Sequence, residues 1–174
     1  KYLKGNQQAY ATDYSVENVD YVNDRFKDNP LFGGAYCLHH YPSQFSDNSF
    51  DLIIITEVVE HLNDEDLASM LSEAKRLLAT GGYICITTPN NEELEENRVM
   101  CPDCGCVFHR WQHVRKWTMT SLQQLLAEYS FKPKLVKKLA WDSVLKKRIL
   151  LNMAVKLNLI TPNGLVYIGK KISS

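Results

Sequence analysis

The segment that most limits the fold is Phe50–Thr56, FDLIIIT, where four large apolar residues follow one another without a polar position. A half-exposed strand alternates and an amphipathic helix repeats every three to four residues. The unbroken Leu-Ile-Ile-Ile run therefore reads as a central strand covered on both faces. Residues 83–88, YICITT, have the same character. Between the two, a short helical segment over 57–62 leads to Asn63 or Asp64, either of which caps a longer helix to Leu78, and Gly81-Gly82 stops it. Upstream, residues 9–12 form a short β-like run ending at Asp13. Ser15 then caps a helix to about Lys27, with Val16, Val19, Val22 and Phe26 on one face, and 31–38 is a weak strand. Downstream, 121–129 is helical, and 133–139 and 165–172 read as strands on either side of an amphipathic basic helix over 144–159. This alternation predicts an α/β fold: a Rossmann-like sheet, mostly parallel, with helices on both faces and an antiparallel edge strand.

The chain has 174 residues, which suits a single domain spanning 1–174 with a cysteine-rich insertion at about 91–117 and a helical one at about 142–160. At 45% hydrophobic and 23% charged residues, wholesale disorder is excluded. Twenty basic residues balance twenty acidic ones, so no global excess argues for nucleic acid. The balance is uneven along the chain. Residues 1–100 hold 7 Lys/Arg against 17 Asp/Glu, a net of −10, and residues 132–174 hold 10 against Asp142 alone, a net of +9. The basic end either meets an anionic substrate or membrane surface, or solvates a helix and pairs with the acidic body. No uncharged apolar run approaches the roughly 20 residues of a membrane span. Five cysteines, three of them within six positions, suit a reduced cytoplasmic protein better than a disulfide framework.

In an open α/β sheet, ligands gather at the carboxyl ends of the strands. Those ends carry Asp13, His39 and His40, Thr56-Glu57 and Thr88-Pro89-Asn90. A carboxylate such as Asp13 can accept two ribose hydroxyls, or can serve only the turn before Ser15. Taken together, ATDYS at 11–15, DNSFDLIIITEVVEHL at 47–62 and EAKRLLATGGYICITTPN at 73–90 resemble class I S-adenosylmethionine-dependent methyltransferases over most of residues 9–131. That resemblance implies a seven-stranded sheet with a reversed last strand. It implies S-adenosylmethionine as cofactor, with Asp13, beside Tyr14, on its ribose and the Thr56–Glu57 turn beside its methionine. Where the family often has an adenine-contacting Asp, this chain has His39 and His40, either of which can stack or hydrogen-bond or simply be exposed. The family's glycine-rich loop has no counterpart before Asp13, where residues 1–8 hold only Gly5, and residues ahead of Lys1 are expected to supply it and the first strand.

Glu57, Glu60 and His61 stand at i, i+3 and i+4, one face of a helix, directly after the strongest strand. Two carboxylates and an imidazole suit Mg²⁺, Mn²⁺ or Zn²⁺, and they equally suit a solvated helix start, where the dipole favours acids. The ExxEH segment, the later TPN and the histidine of HVRKWT resemble metal-dependent 2′-O-methyltransferases of small-RNA 3′ ends, and some ubiquinone-pathway O-methyltransferases share ExxEH. The resemblance implies a divalent site of Glu57, Glu60, His61 and His113, with His61 and His113 catalytic. A hydroxyl held by a cation loses its proton more readily, and His61 or an acid could take that proton without metal.

Cys101-Pro-Asp-Cys104-Gly-Cys106 is a turn of the kind that wraps zinc, and Cys106 and His109 complete a Cys₃His set if zinc is bound; otherwise the thiols are reduced side chains of a loop. Such zinc would be structural. Phe108, Trp111 and Trp117 either wall a substrate pocket or belong to the core. The expected function is O-methylation of a hydroxylated small molecule or sugar. RNA 3′-terminal 2′-O-methylation and a non-catalytic methyltransferase-like binding module are the alternatives, and the acceptor itself is not written in the sequence.

Overall fold

The computed structural model describes residues 5–140 and 162–173, so the expected basic helix at 144–159 lies outside the described residues. Its contacts fall into two compact units, Lys1–Gln44 and Phe45–Ser174.

The first unit is a β-α-β crossover. Strands β1 (Ala9–Asp13) and β2 (Phe32–Cys37) pair in parallel across helix α1 (Val16–Phe26). Ser15 caps α1 as expected, its side chain accepting from the Asn18 amide. Of the four expected face residues only Val19 is fully buried; Val16 and Phe26 are exposed. Asn23 fastens the helix to β2, donating to the Ala35 carbonyl at 3.0 Å and accepting from the Ala35 amide at 2.8 Å.

The second unit holds a four-stranded sheet in the order β3-β4-β8-β7, formed by β3 (Phe50–Thr56), β4 (Leu78–Pro89), β7 (Phe131–Leu139) and β8 (Gly164–Lys171). β3 and β4 are parallel, with Ile53 opposite Ile84 and Ile55 opposite Ile86; β8 runs antiparallel to both β4 and β7. Helix α2 (Asp64–Leu77), capped by Asn63, packs against β4, and α3 (Met119–Glu128), capped by Thr118, packs against β7 and β8. Leu71, Leu122, Leu126, Ile84, Ile86, Leu165 and Tyr167 form its core. A short hairpin, β5 (Arg98–Met100) with β6 (Val107–His109), completes the described strands.

Three expectations are corrected. β3 is the outer strand of its sheet, and Leu52 and Ile54 are 51% and 61% exposed while Ile55 is buried, so the apolar run is covered on one face only. Residues 57–62 are not helical: Glu57 has φ +52° and its amide donates to the Thr87 carbonyl, which turns the chain away before α2 begins. Helix α2 ends at Leu77, ahead of the glycines. β4 runs through them, with Gly81 at φ +85° and Gly82 so close to the Ala79 and Asp51 carbonyls that a Cβ would lie within 3.0 Å of both. Among the described residues, two strands pair in the first unit, four form the sheet of the second and two form the hairpin, where the resemblance implied seven in one sheet.

Candidate functional site

In the first unit the strand ends bring Asp13, Tyr14 and His39 together. The Leu38 amide donates to the Asp13 carbonyl, and the Cys37 thiol donates to the Tyr14 carbonyl and lies 3.0 Å from His39 Nε2. Tyr14 and His39 meet edge to face at 6.3 Å, and both side chains are open enough to meet a ligand. Asp13 Oδ1 accepts from the Ser15 amide at 2.8 Å and from Asn18 Nδ2 at 3.3 Å. The turn thus uses one carboxylate oxygen and leaves Oδ2 without a partner among the described residues, so the two readings of Asp13 are compatible.

In the second unit the turn after β3 carries Thr56, Glu57, Glu60 and His61. Glu60 is 1% exposed. Its Oε2 accepts from the Thr88 hydroxyl at 2.9 Å, whereas Oε1 is buried with no hydrogen-bond partner, 3.8 Å from His61 Nε2. The segment carrying His113 is bolted to this turn: the Val114 amide donates to the Glu60 carbonyl, and Arg115 donates to the Leu62 carbonyl and pairs with Asp64 at 2.9 Å. As a result the His61 and His113 rings lie edge to face at 4.7 Å, and ligand atoms of Glu60, His61 and His113 all fall within 4.8 Å of one another.

Glu57 is not part of that group. It stands beside it: partial burial raises its carboxyl above the ordinary value and the Glu60 charge adds to this, while a Thr87 hydrogen bond and the His113 and His61 charges oppose it. A second group shares His113 and adds two residues, Glu92 and His109, that the ExxEH reading passed over. Their signals were an acid just past a buried strand end and an HxxxH spacing over 109–113.

Cys101, Cys104 and Cys106 converge within the same 4.8 Å limit, held by the Cys101 amide on the Cys106 carbonyl and the Gly105 amide on the Cys101 carbonyl. The expected fourth ligand is elsewhere. His109 is buried beside Glu92 and His113, so the Cys₃His set is corrected to three thiols. Trp117 is a core residue, and Phe108 and Trp111 are exposed.

Residues 1–86, just under half of the chain, match the family model described as a methyltransferase domain. No curated protein matches the chain in sequence. Among solved structures, the chain is similar to an S-adenosylmethionine-dependent methyltransferase from Mesorhizobium loti (14% identity, 95% of this chain and 81% of that one, TM-score 0.68). It is similar to one from Archaeoglobus fulgidus (20% identity, 93% and 75%, TM-score 0.63). It also resembles a Haloferax volcanii structure described as a complex between the Trm112 methyltransferase activator and the putative methyltransferase (16% identity, 95% and 73%, TM-score 0.66). At these identities the structures speak for the fold alone, which is the Rossmann-like methyltransferase fold, and the first half of the chain matches a methyltransferase domain.

Proposed function

We propose that the chain is the core of an S-adenosylmethionine-dependent O-methyltransferase that acts on a hydroxylated small molecule or sugar with the help of a divalent cation. The observation that carries this reading is the buried, unpartnered Oε1 of Glu60 beside His61 and His113. An ionised carboxylate oxygen out of water and without a donor is costly, and a cation is the ligand that relieves it. Oxygen and imidazole donors fit Mg²⁺, Mn²⁺ or Zn²⁺. Glu60, His61 and His113 would hold the ion, with Glu57 at the margin, and its service would be to make a bound hydroxyl more acidic. Asp13 receives ribose hydroxyls through Oδ2, and Tyr14 and His39 border the adenosine; a role for the Thr56–Glu57 turn at the methionine rests on the family resemblance alone. S-adenosylmethionine supplies a methyl on a positively charged sulfur. The acceptor oxygen bonds to that methyl as the carbon–sulfur bond breaks, and the hydroxyl proton passes to the Glu57 carboxylate, which stands outside the ligand group, or to His61 when its ring holds no cation.

A structural zinc on Cys101, Cys104 and Cys106 is a separate part of the proposal, supported by the convergence of the thiols.

Calorimetry with S-adenosylhomocysteine on the full-length protein tests the cofactor half. Asp13→Ala is expected to weaken binding by about 1–3 kcal/mol, the cost of a lost hydrogen bond to a charged group. Unchanged affinity would remove Asp13 from the site. Methyl transfer to a panel of hydroxylated metabolites and RNA 3′ ends, with and without chelator, tests the rest. Full activity in excess chelator rejects the cation, and transfer only to RNA moves the acceptor class.

A further inference from the structure

Glu92, His109 and His113 have the composition of a two-histidine, one-carboxylate metal site, but their hydrogen bonds assign them another task. Glu92 Oε2 lies 2.5 Å from His113 Nδ1, and its Oε1 accepts from Asn97 Nδ2 at 3.0 Å. An ionised carboxylate can only accept, so His113 carries its proton on Nδ1. In a neutral ring the lone pair is then on Nε2, and that is the nitrogen left for the group with Glu60 and His61.

The partner ring is fixed the opposite way. His109 Nδ1 accepts from the His113 backbone amide at 3.1 Å, which can only donate. The proton of a neutral His109 is therefore on Nε2, 3.5 Å from Glu92 Oε1 and buried without another partner. A protonated nitrogen has no lone pair for a metal. The two rings stack at 4.7 Å with 24° between their planes, so neither is free to turn over without disturbing the other.

We propose that Glu92 is a positioning residue that locks His113 in the Nδ1–H form, with His109 and Asn97 holding Glu92 in place. The Nε2 lone pair of His113 is thereby presented for a cation or for a proton. Such carboxylate partners orient the imidazole and raise its basicity. The assignment of the task rests on the cation reading above; the tautomers do not.

Long-range proton–nitrogen correlation spectra of the histidine rings test this directly, in the metal-free protein at a pH where the rings are neutral. The expected result is Nδ1–H for His113 and Nε2–H for His109. On titration with Zn²⁺ beyond the first equivalent, which the thiols take, His113 Nε2 should shift while the His109 Nε2 proton remains. Glu92→Ala should mix the His113 tautomers and weaken binding of that second Zn²⁺ by about 10–100-fold; Glu92→Asp should recover part of both. An Nε2–H His113 in the wild-type protein, loss of the His109 proton on Zn²⁺ binding, or unchanged affinity in Glu92→Ala would each overturn the proposal. If the wild-type protein binds no second Zn²⁺ while the tautomers are as stated, the cation reading fails and the positioning role stands for proton transfer alone. Should Glu92→Ala not fold, the wild-type spectra already decide.

Discussion

The four-stranded sheet and the segment over 91–117 treat their buried polar atoms in opposite ways. In the sheet, Thr88 donates to Glu60 and Tyr167 donates to the Phe131 carbonyl at 2.8 Å. Among the described residues, the buried side-chain atoms without partners are Glu60 Oε1, His109 Nε2 and Trp117 Nε1, all within that segment or on the turn it is fastened to. Each such atom costs of order 1–3 kcal/mol. Among the described residues, none of the four strands of the sheet leaves a buried side-chain atom in that state. The contrast teaches that the sheet satisfies its buried polar atoms, whereas the segment and its turn give up some stability to unpaired ones, of which Glu60 Oε1 is the one proposed to meet a ligand.

The largest expected effect separates the two regions. His113→Ala should weaken Zn²⁺ or Mn²⁺ binding at the proposed Glu60 site roughly 100-fold or more, since a proposed ligand is lost outright rather than reoriented. Its metal-free stability should fall by no more than about 1–3 kcal/mol, the cost of leaving Glu92 Oε2 without its donor. A large loss of metal-free stability instead would show that the segment is as much a part of the core as the sheet.

Leu71→Ala, on the buried face of α2, should cost about 2–5 kcal/mol in denaturant unfolding and leave the metal stoichiometry unchanged. A coupled loss of metal would blur the division.

Tyr167 gives the sheet a pH limit. Burial pushes its hydroxyl up to about 12 from 10. Between those values the folded chain keeps a proton that the unfolded chain has released, so stability is intact below pH 10 and falls as pH rises toward 12. The slope approaches about 1.4 kcal/mol per pH unit. Tyr167→Phe should remove this alkaline dependence while lowering neutral stability by about 1 kcal/mol, as measured by urea unfolding across pH. An unchanged alkaline slope would assign it to other groups.

The smallest effect is a ranking of thiols. Hydrogen bonding with Cys106 and Cys101 holds Cys104 below the ordinary thiol value, and burial raises Cys85. In metal-free protein Cys104 should alkylate first and Cys85 last, and Zn²⁺ should protect Cys104 alone of the two. Protection of Cys85 as well would mean that zinc tightens the sheet and that the two regions are coupled.

What was legible in the sequence was local. Ser15 and Asn63 cap the helices, and Phe50–Thr56 is the strand, because capping oxygens and runs of β-branched residues act within a few positions of themselves. The pairing of β3 with β4 followed from two matching apolar runs joined by a helix. Tertiary structure decided the rest. The bond from the Glu57 amide to the Thr87 carbonyl, thirty residues away in sequence, replaced an expected helix turn by a left-handed bend and set Glu57 aside from the group it was expected to join. The β5–β6 hairpin carried His109 away from the cysteines to Glu92 and His113. Spacing along a chain shows which side chains share a face only while the backbone between them is regular. Where the chain turns, the neighbours of a ligand are chosen by bonds to distant strands, and those become visible only once the strands have met.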